Sequence, residues 1–358
     1  MRIVIAAGGT GGHIIPALTI AHDLRALGHK ITWLGLRTGF EADLVPRAGF
    51  KIKFLPGFGG IRGKSLMSLI SSPLKLFRAV LSSLWFLKKH KPSGIITMGG
   101  YVCGPVGVAA WLLNIPIVIH EQNSVAGTTN RLLTRLSDNI LSAYPSSFSK
   151  DIDFLHVGNP IREKFVNIGT YKMNPDFPNK INIVVTGGSL GAQQLNDVIF
   201  KFISDIQFRS KVNLVHQTGA KDFTRINEKY KTLDDCSSIE VLPYIHDIEE
   251  KYKWADLVIS RAGAMSISEI LACQMPSILV PYPHATDNHQ YYNAKELANV
   301  NAALLVSQDD FNTLYLKVMI SKLLMGPEEL QKLSDSTKIL FQSGANTRIA
   351  TYCLTKFS

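Results

Sequence analysis

Thirteen short runs rich in valine, isoleucine and leucine recur along the chain, and most do not alternate with polar residues. A strand with one wet face alternates, whereas a strand covered on both faces reads as a continuous apolar run. The runs fall at 2–6, 31–35, 52–55, 94–98, 116–120, 139–142 and 154–157. After a gap they resume at 181–186, 212–216, 239–242, 256–260, 277–281 and 302–306. Helical patterns lie between them at 13–27, 40–48, 66–90, 105–113, 126–136, 192–206, 221–232, 246–254, 265–273 and 287–299. This alternation predicts an α/β chain whose parallel strands are joined by crossover helices.

At 358 residues the chain is long enough for two cores. The expected division is 1–162, a linker at 163–180, a second domain at 181–342 and a terminal helical segment at 343–358 that braces the first domain or caps the second. The part of the linker at 167–180 is polar, aperiodic and carries two prolines. Hydrophobic residues at 46% and charged residues at 18% exclude a largely disordered chain. The four cysteines stand 37 or more residues apart without C-x-x-C, which argues against a disulfide framework and a Cys-based zinc site and fits a reducing cytosol. Met1-Arg2 leads at once into the first apolar run, so no signal peptide is expected at this end.

Charge is unevenly placed. Residues 1–162 hold 18 Lys/Arg against 7 Asp/Glu, while residues 163–358 hold 20 against 21. No acidic residue occurs between Asp43 and Glu121, but ten basic ones do. The first half therefore favours a polyanionic partner: nucleic acid, an anionic membrane or a phosphorylated acceptor. Nucleic acid is the weakest of these, because aromatics are not interleaved with the basic residues. In 66–90, apolar residues recur at helical spacing and Lys75, Arg78, Lys88 and Lys89 supply the only charges. Half of such a helix packs on a core. Ile70, Leu74 and Phe77, rimmed by Lys75 and Arg78, are the expected membrane face. The stretch 94–119 has no charge, but its glycines and prolines divide it into strand, turn, helix, turn and strand rather than a membrane span.

The first run ends in Gly8-Gly9-Thr10-Gly11-Gly12-His13, and the run at 181–186 ends in Gly187-Gly188-Ser189-Leu190-Gly191-Ala192. A glycine-rich turn between strand and helix lets backbone N–H groups approach an anion at the positive end of the helix. A third turn, Met98-Gly99-Gly100-Tyr101, follows another strand. Two such sheet edges facing across a cleft are the expected arrangement. The dinucleotide fingerprint fails, because Ile14 stands where its third glycine would be and no acidic residue closes the run at 31–35. Arg37 leaves only a small opening for NADP. There is no P-loop, no G-x-S-x-G and no H-E-x-x-H. Asp151-Ile152-Asp153 matches a metal–diphosphate D-x-D, but it follows a serine-rich turn and reads as a solvated loop.

Five blocks together carry a resemblance: Gly8–His13, His120-Glu121-Gln122-Asn123, Gly158-Asn159-Pro160-Ile161-Arg162, Gly187–Ala192, and Arg261-Ala262-Gly263-Ala264-Met265-Ser266-Ile267-Ser268-Glu269. In this order they resemble the MurG family of undecaprenyldiphospho-muramoylpentapeptide β-N-acetylglucosaminyltransferases of peptidoglycan synthesis, and the resemblance covers about 340 residues. The resemblance implies a GT-B fold of two Rossmann-like domains at the cytoplasmic face of the bacterial inner membrane. It implies inverting transfer of N-acetylglucosamine from UDP-N-acetylglucosamine to the 4-hydroxyl of the muramyl unit of lipid I, giving lipid II, with no metal or other cofactor.

By the same resemblance, Thr10, Gly11 and Gly12 lie near the donor diphosphate and sugar, Asn123 at the sugar hydroxyls, and Arg162 at the donor. Ser189 bonds a phosphate and Ile245 faces the uracil through its backbone. Ala264, Met265, Ser266, Ile267, Ser268 and Glu269 line the diphosphate and ribose, with Glu269 accepting from ribose hydroxyls. Gln290, or His289 in its place, contacts the sugar, because the stretch 283–290 varies in length within the family. Gly99, Gly100 and Tyr101 are the candidate acceptor contacts, or else Tyr101 is a packed rim aromatic. His13 is the candidate general base, or else a helix cap that orients the loop. Glu121 is the alternative base, or a buried carboxylate holding the 123–128 turn. The rival classes are a UDP-sugar 2-epimerase on the same plan, which would act on the donor alone, and an NADP oxidoreductase.

Overall fold

A computed structural model describes residues 1–56, 66–188 and 191–358, with side chains from residue 73 onward in the helix Leu66–His90. Two compact units emerge: Met1–Ile161 together with Gln342–Ser358, and Arg162–Phe341.

The strands of the first unit are β1 (Arg2–Ala6), β2 (Lys30–Gly35), β3 (Lys51–Phe54), β4 (Gly94–Thr97), β5 (Ile117–Glu121), β6 (Ile140–Ser142) and β7 (Leu155–His156). They form one sheet in the order β3-β2-β1-β4-β5-β6-β7, with every pairing parallel. The second unit carries β8 (Ile181–Thr186), β9 (Val212–Gln217), β10 (Ile239–Leu242), β11 (Leu257–Ser260), β12 (Ser277–Leu279) and β13 (Leu304–Leu305). Its order is β10-β9-β8-β11-β12-β13, again all parallel. Each sheet is doubly wound, and its strand order reverses between the first and fourth strands of the unit. All thirteen strands lie on the apolar runs read from the sequence.

Burial explains why those runs do not alternate. Every residue of β4, β5, β8 and β11 is buried. In the first unit, Val4, Ala6, Ile95 and Ile119 enter one core with Phe86, Leu87, Val106 and Ala109 from two helices. Ile3, Ile5, Ile96 and Val118 point the other way, into a core shared with Ile14, Ala17 and Leu24. The helix Ala345–Phe357 joins this second core through Ile349, Ala350, Cys353 and Phe357. Gly94 makes room for it, since a Cβ there would lie 2.0 Å from the Phe357 ring. Polar contacts fix the same helix: Ile161 N donates to Asn346 Oδ1 at 2.9 Å, Asn346 Nδ2 donates to Ile161 O at 3.0 Å, and Arg348 donates to Val157 O at 2.8 Å.

The segment 163–180, read as a linker, packs as part of the second unit. It holds a short helix, Glu163–Val166, and two buried aromatics, Phe165 and Tyr171. Its Asn174 N donates to the buried Asp256 carboxylate at 2.7 Å. Two aromatics in a polar stretch are enough to dock it. Arg162 falls in the second unit, not the first. The helical pattern at 192–206 divides into Gln193–Ile203 and Ile206–Arg209, because Asp205 caps the second piece by accepting from Gln207 N at 3.0 Å. The uncharged stretch 94–119 forms β4, the helix Cys103–Leu112 and β5. Among the described residues no helix is long and apolar enough to cross a membrane.

Phe357→Ala removes a buried ring opposite Gly94. It is expected to destabilise the first unit by about 3 kcal/mol, seen as an earlier urea transition of that unit. An unshifted transition would show that the terminal helix does not contribute to this core.

Candidate active site

In open parallel sheets, ligands bind beyond the carboxyl ends of the strands, where the strand order reverses. In the first unit this places the turns after β1 and β4 side by side. Gly8 N donates to Gly99 O at 3.3 Å, and a Cβ on Gly100 would fall 2.1 Å from Gly8 O. Thr10 then takes the N-cap position of the helix Gly11–Ala26, whose first turn holds no acidic residue. Its leading N–H groups, at Gly11 and Gly12, have no carbonyl within the helix to meet. His13 sits in this first turn, half-buried, with Nδ1 3.1 Å from Gly8 O. A carbonyl only accepts, so Nδ1 carries the proton and the ring's lone pair is on Nε2. The opposite wall is Gly99, where a Cβ would come within 2.9 Å of Nε2. Tyr101 is exposed beside this turn.

At the end of β5 a chain of polar side chains is buried. His120 Nε2 donates to Gly158 O at 3.0 Å, and Gln122 Nε2 donates to His120 Nδ1 at 3.0 Å. Burial depresses the His120 pKa to about 4, so this imidazole is neutral. Glu121 uses both oxygens. Oε1 accepts from Asn123 N and Asn123 Nδ2, each at 3.0 Å, while Oε2 accepts from Gly127 N at 3.1 Å and Asn130 Nδ2 at 2.8 Å. The carboxylate organises the turn that presents Asn123.

The second unit repeats the plan with different hardware. After β8 the turn passes Gly187 and Gly188, the latter at φ +79°. A Cβ on Gly191 would meet Thr218 O at 2.3 Å, so the turn packs directly on the neighbouring loop. Gln217, buried at the end of β9, ties three parts together. Its Nε2 donates to Thr186 Oγ1 at 3.2 Å and to Gly188 O at 3.1 Å, and its Oε1 accepts from Ile245 N at 3.0 Å. The Ile245 N–H is thus engaged within the protein. After β11, Gly263 caps the helix Ala264–Ala272, and Ile267 N is already bonded to Gly263 O at 3.0 Å. The N–H groups that point out of this helix are therefore those of Ala264, Met265 and Ser266. The side chains of Met265 and Ile267 are core, and Ile267 has neither side chain nor amide to offer a ligand. Ser268 Oγ donates back to Ala264 O at 2.8 Å.

Arg162 and Glu269, expected as separate ligand groups, meet each other at 3.1 Å, with side chains 37% and 12% exposed. Arg162 also lies over the Phe165 ring at 4.7 Å. Burial raises the Glu269 pKa to about 7, against the opposing pull of Arg162. Gln290 Oε1 accepts from Tyr282 N at 2.9 Å, and His289 Nδ1 lies 2.6 Å from Thr286 O. Asp151 and Asp153 occupy an exposed loop, and the bond from Ser149 lowers the Asp151 carboxyl. Ser189 and the Ile70 side chain lie outside the described residues. Leu74, Phe77, Leu81 and Trp85 form an exposed stripe on the helix Leu66–His90, with Lys75 and Arg78 exposed beside it and Lys89 over the Trp85 ring at 5.0 Å. Two residues that hold these turns were not read from the sequence: Asn130 and Gln217. For Gln217 the signal was present, as a polar pair, His216-Gln217, closing an apolar strand.

Two domain families match. Residues 3–142 match the glycosyltransferase family 28 N-terminal domain, and residues 182–349 match the glycosyltransferase family 28 C-terminal domain. Among curated relatives, the UDP-N-acetylglucosamine--N-acetylmuramyl-(pentapeptide) pyrophosphoryl-undecaprenol N-acetylglucosamine transferase of Shewanella halifaxensis is 40% identical over 353 residues, covering 99% of this chain and 96% of the relative. The protein of the same name from Methylococcus capsulatus is 41% identical, covering 99% and 98%. The Acinetobacter baumannii MurG crystal structure superposes with a TM-score of 0.81 at 30% identity, covering 99% of both chains. A UDP-GlcNAc 2-epimerase from Neisseria meningitidis, at 13% identity and a TM-score of 0.66, shares the fold alone. The chain belongs to the MurG family within glycosyltransferase family 28.

Folding raises the Glu269 carboxyl from an ordinary 4.5 to about 7. The folded state binds that proton more tightly than the unfolded chain does, so this stability is complete below about pH 4.5 and lost as pH rises through about 7. Glu269→Gln is expected to flatten the fall in the second unit's urea midpoint between pH 5 and 8. An unchanged slope would assign the fall to another group.

Proposed function

We infer that this chain transfers N-acetylglucosamine from UDP-N-acetylglucosamine to the 4-hydroxyl of the muramyl unit of lipid I, forming lipid II. The observation that carries this reading is the match, at 40% identity across 99% of the chain, to transferases named for this reaction. The donor is assigned to the second unit and the acceptor to the first.

Chemistry at the anomeric carbon needs a proton acceptor for the attacking hydroxyl and a sink for the charge that UDP gains on leaving. His13 is the base: its Nδ1 is bonded to Gly8 O, and Nε2 is the nitrogen that takes the proton. Glu121 is the weaker choice, because four bonds already occupy its oxygens. The hydroxyl oxygen attacks from the face opposite UDP, the bond to the diphosphate oxygen breaks, and the anomeric configuration inverts. The N–H groups of Ala264, Met265 and Ser266 meet the departing diphosphate at the positive end of their helix. Ser189 and the turn at 187–191 assist them. Glu269 accepts from the ribose and Arg162 steadies it, while Gln290 and Asn123 contact the sugar. Thr10, Gly11 and Gly12 approach the donor, with Gly99, Gly100 and Tyr101 on the acceptor side. With amides as the charge sink, the reaction needs no divalent ion.

The exposed stripe Leu74, Phe77, Leu81 and Trp85, with Lys75 and Arg78 beside it, supports peripheral seating on the cytoplasmic face of the inner membrane. Each Lys or Arg at an anionic surface contributes about 1 kcal/mol. Lipid I presents its diphosphate at that surface. Its chemistry also fits the excess of Lys and Arg in residues 1–162.

A radiolabelled transfer assay with UDP-N-acetylglucosamine and a short-chain lipid I analogue tests the reading. Transfer should persist in excess EDTA, and turnover of the donor without acceptor would point to an epimerase instead. His13→Ala should lower kcat by roughly 100- to 10,000-fold while UDP affinity holds; near-normal turnover would remove His13 as the base. Reversing Lys75, Arg78 and Lys88 together should weaken binding to anionic vesicles and abolish its salt dependence, and unchanged binding would move the membrane face elsewhere.

A further inference from the structure

Glu41 has no part in the reaction as described, yet it is fully buried directly behind the first glycine-rich turn. Its Oε1 accepts from Leu36 N at 2.9 Å and its Oε2 from Gly9 N at 3.2 Å. The space around it is cut by glycines from two segments, the turn after β1 and the connection that leads from β2 into Glu41's own helix. A Cβ would come within 2.0 Å of Oε2 at Gly39, 2.6 Å of Oε1 at Gly8 and 2.7 Å of Cγ at Gly35. Three missing side chains around one carboxyl group mark a built pocket rather than an accidental burial.

The Gly9 N–H that Glu41 holds and the Gly8 carbonyl that meets His13 Nδ1 are two ends of the same peptide group. That group is planar, so fixing its N–H end fixes the direction of its carbonyl. A carboxylate at the N–H end also polarises the peptide and strengthens the carbonyl as an acceptor. We propose that Glu41 is a positioning residue for the base, acting through the Gly8–Gly9 peptide to set the tautomer and direction of the His13 imidazole. The link runs carboxylate, peptide, Nδ1–H, with Nε2 as the end that receives the acceptor's proton. Glu41 itself neither gains nor loses a proton: Nδ1–H stays in place and the imidazolium carries the charge until the product leaves. The inference rests on the assignment of His13 as the base.

Glu41→Gln keeps the shape but turns an amide NH2 toward one of the two backbone donors. In the full-length enzyme, kcat for transfer is expected to fall about 10- to 100-fold, with the KM for UDP-N-acetylglucosamine within about 2-fold. Added to His13→Ala, E41Q should bring no further loss, because both act on one function. An equal fold-loss in both backgrounds would overturn the proposal and leave Glu41 a purely structural group. A second measurement does not depend on the variant folding. In ¹⁵N-histidine spectra of the wild-type chain, with the His13 signals assigned by their loss in H13A, His13 should show the Nδ1–H tautomer. The Nε2–H tautomer would overturn the proposal outright. The two readings can fail separately: if H13A turns over normally while the His13 tautomer still shifts in E41Q, the base assignment is wrong and the Glu41–peptide–imidazole link stands.

Discussion

A sheet covered on both faces can offer its backbone to a ligand only at the strand ends. That constraint governs both units of this chain. With β4, β5, β8 and β11 buried throughout, their carboxyl ends are where amides and polar side chains can act. The reversal of strand order then decides which ends are open, since the connections on either side of it leave in opposite directions. The turns after β1 and β4, and those after β8 and β11, inherit their roles from this topology before any particular side chain is considered. Two helices start there, at Gly11 and at Ala264, with leading N–H groups that no carbonyl of their own helix engages.

Much of this was legible in the sequence because it depends on periodicity. The strands are continuous apolar runs, and the thirteen strands among the described residues fall on them. The glycine-rich turns were legible for a related reason, since a strand that stops in Gly8-Gly9 or Gly187-Gly188 has few other structures open to it. Pairwise side-chain geometry was not legible. Nothing in the spacing of Arg162 and Glu269, 107 residues apart, says that they bond to each other rather than to a ligand. Nor does it say that Ile267 spends its amide inside its helix, or that Ile245 N is engaged by Gln217. The segment 163–180 misled for the opposite reason: its composition is that of a linker, and two aromatics outweigh the composition.

The helix Leu66–His90 shows how one periodicity serves two surfaces. Ala79, Ser83, Phe86 and Leu87 face the core, and Ser83 closes its hydroxyl onto Ala79 O at 2.8 Å. Leu74, Phe77, Leu81 and Trp85 face outward. An isolated exposed leucine needs no explanation, but four large apolar residues on one stripe, flanked by cations, present a continuous surface that water solvates poorly.

Buried carboxylates hold backbone segments at both ends of the sheets: Glu41 and Glu121 beyond carboxyl ends in the first unit, Asp256 at the amino end of the second sheet. Glu41, Glu121 and Asp256 each accept backbone N–H bonds on both oxygens: from Leu36 and Gly9, from Asn123 and Gly127, and from Asn174 and Asn182. Bonds to a charged group are worth about 1.5–3 kcal/mol each, enough for a pair to offset part of the cost of burying the charge. Each carboxyl group thus takes up backbone amides that would otherwise need another partner. The amides at the starts of the helices Gly11–Ala26 and Ala264–Ala272 have no acidic residue in their first turn. The carboxylates fix the backbone segments they bond, while the first turns of these two helices are left without a side-chain anion of their own. Glu269 stands apart because its ion-pair partner is a side chain, Arg162. A pair of side chains can rearrange when a ligand arrives, whereas a carboxylate bonded to two backbone segments cannot do so without moving the loops it holds.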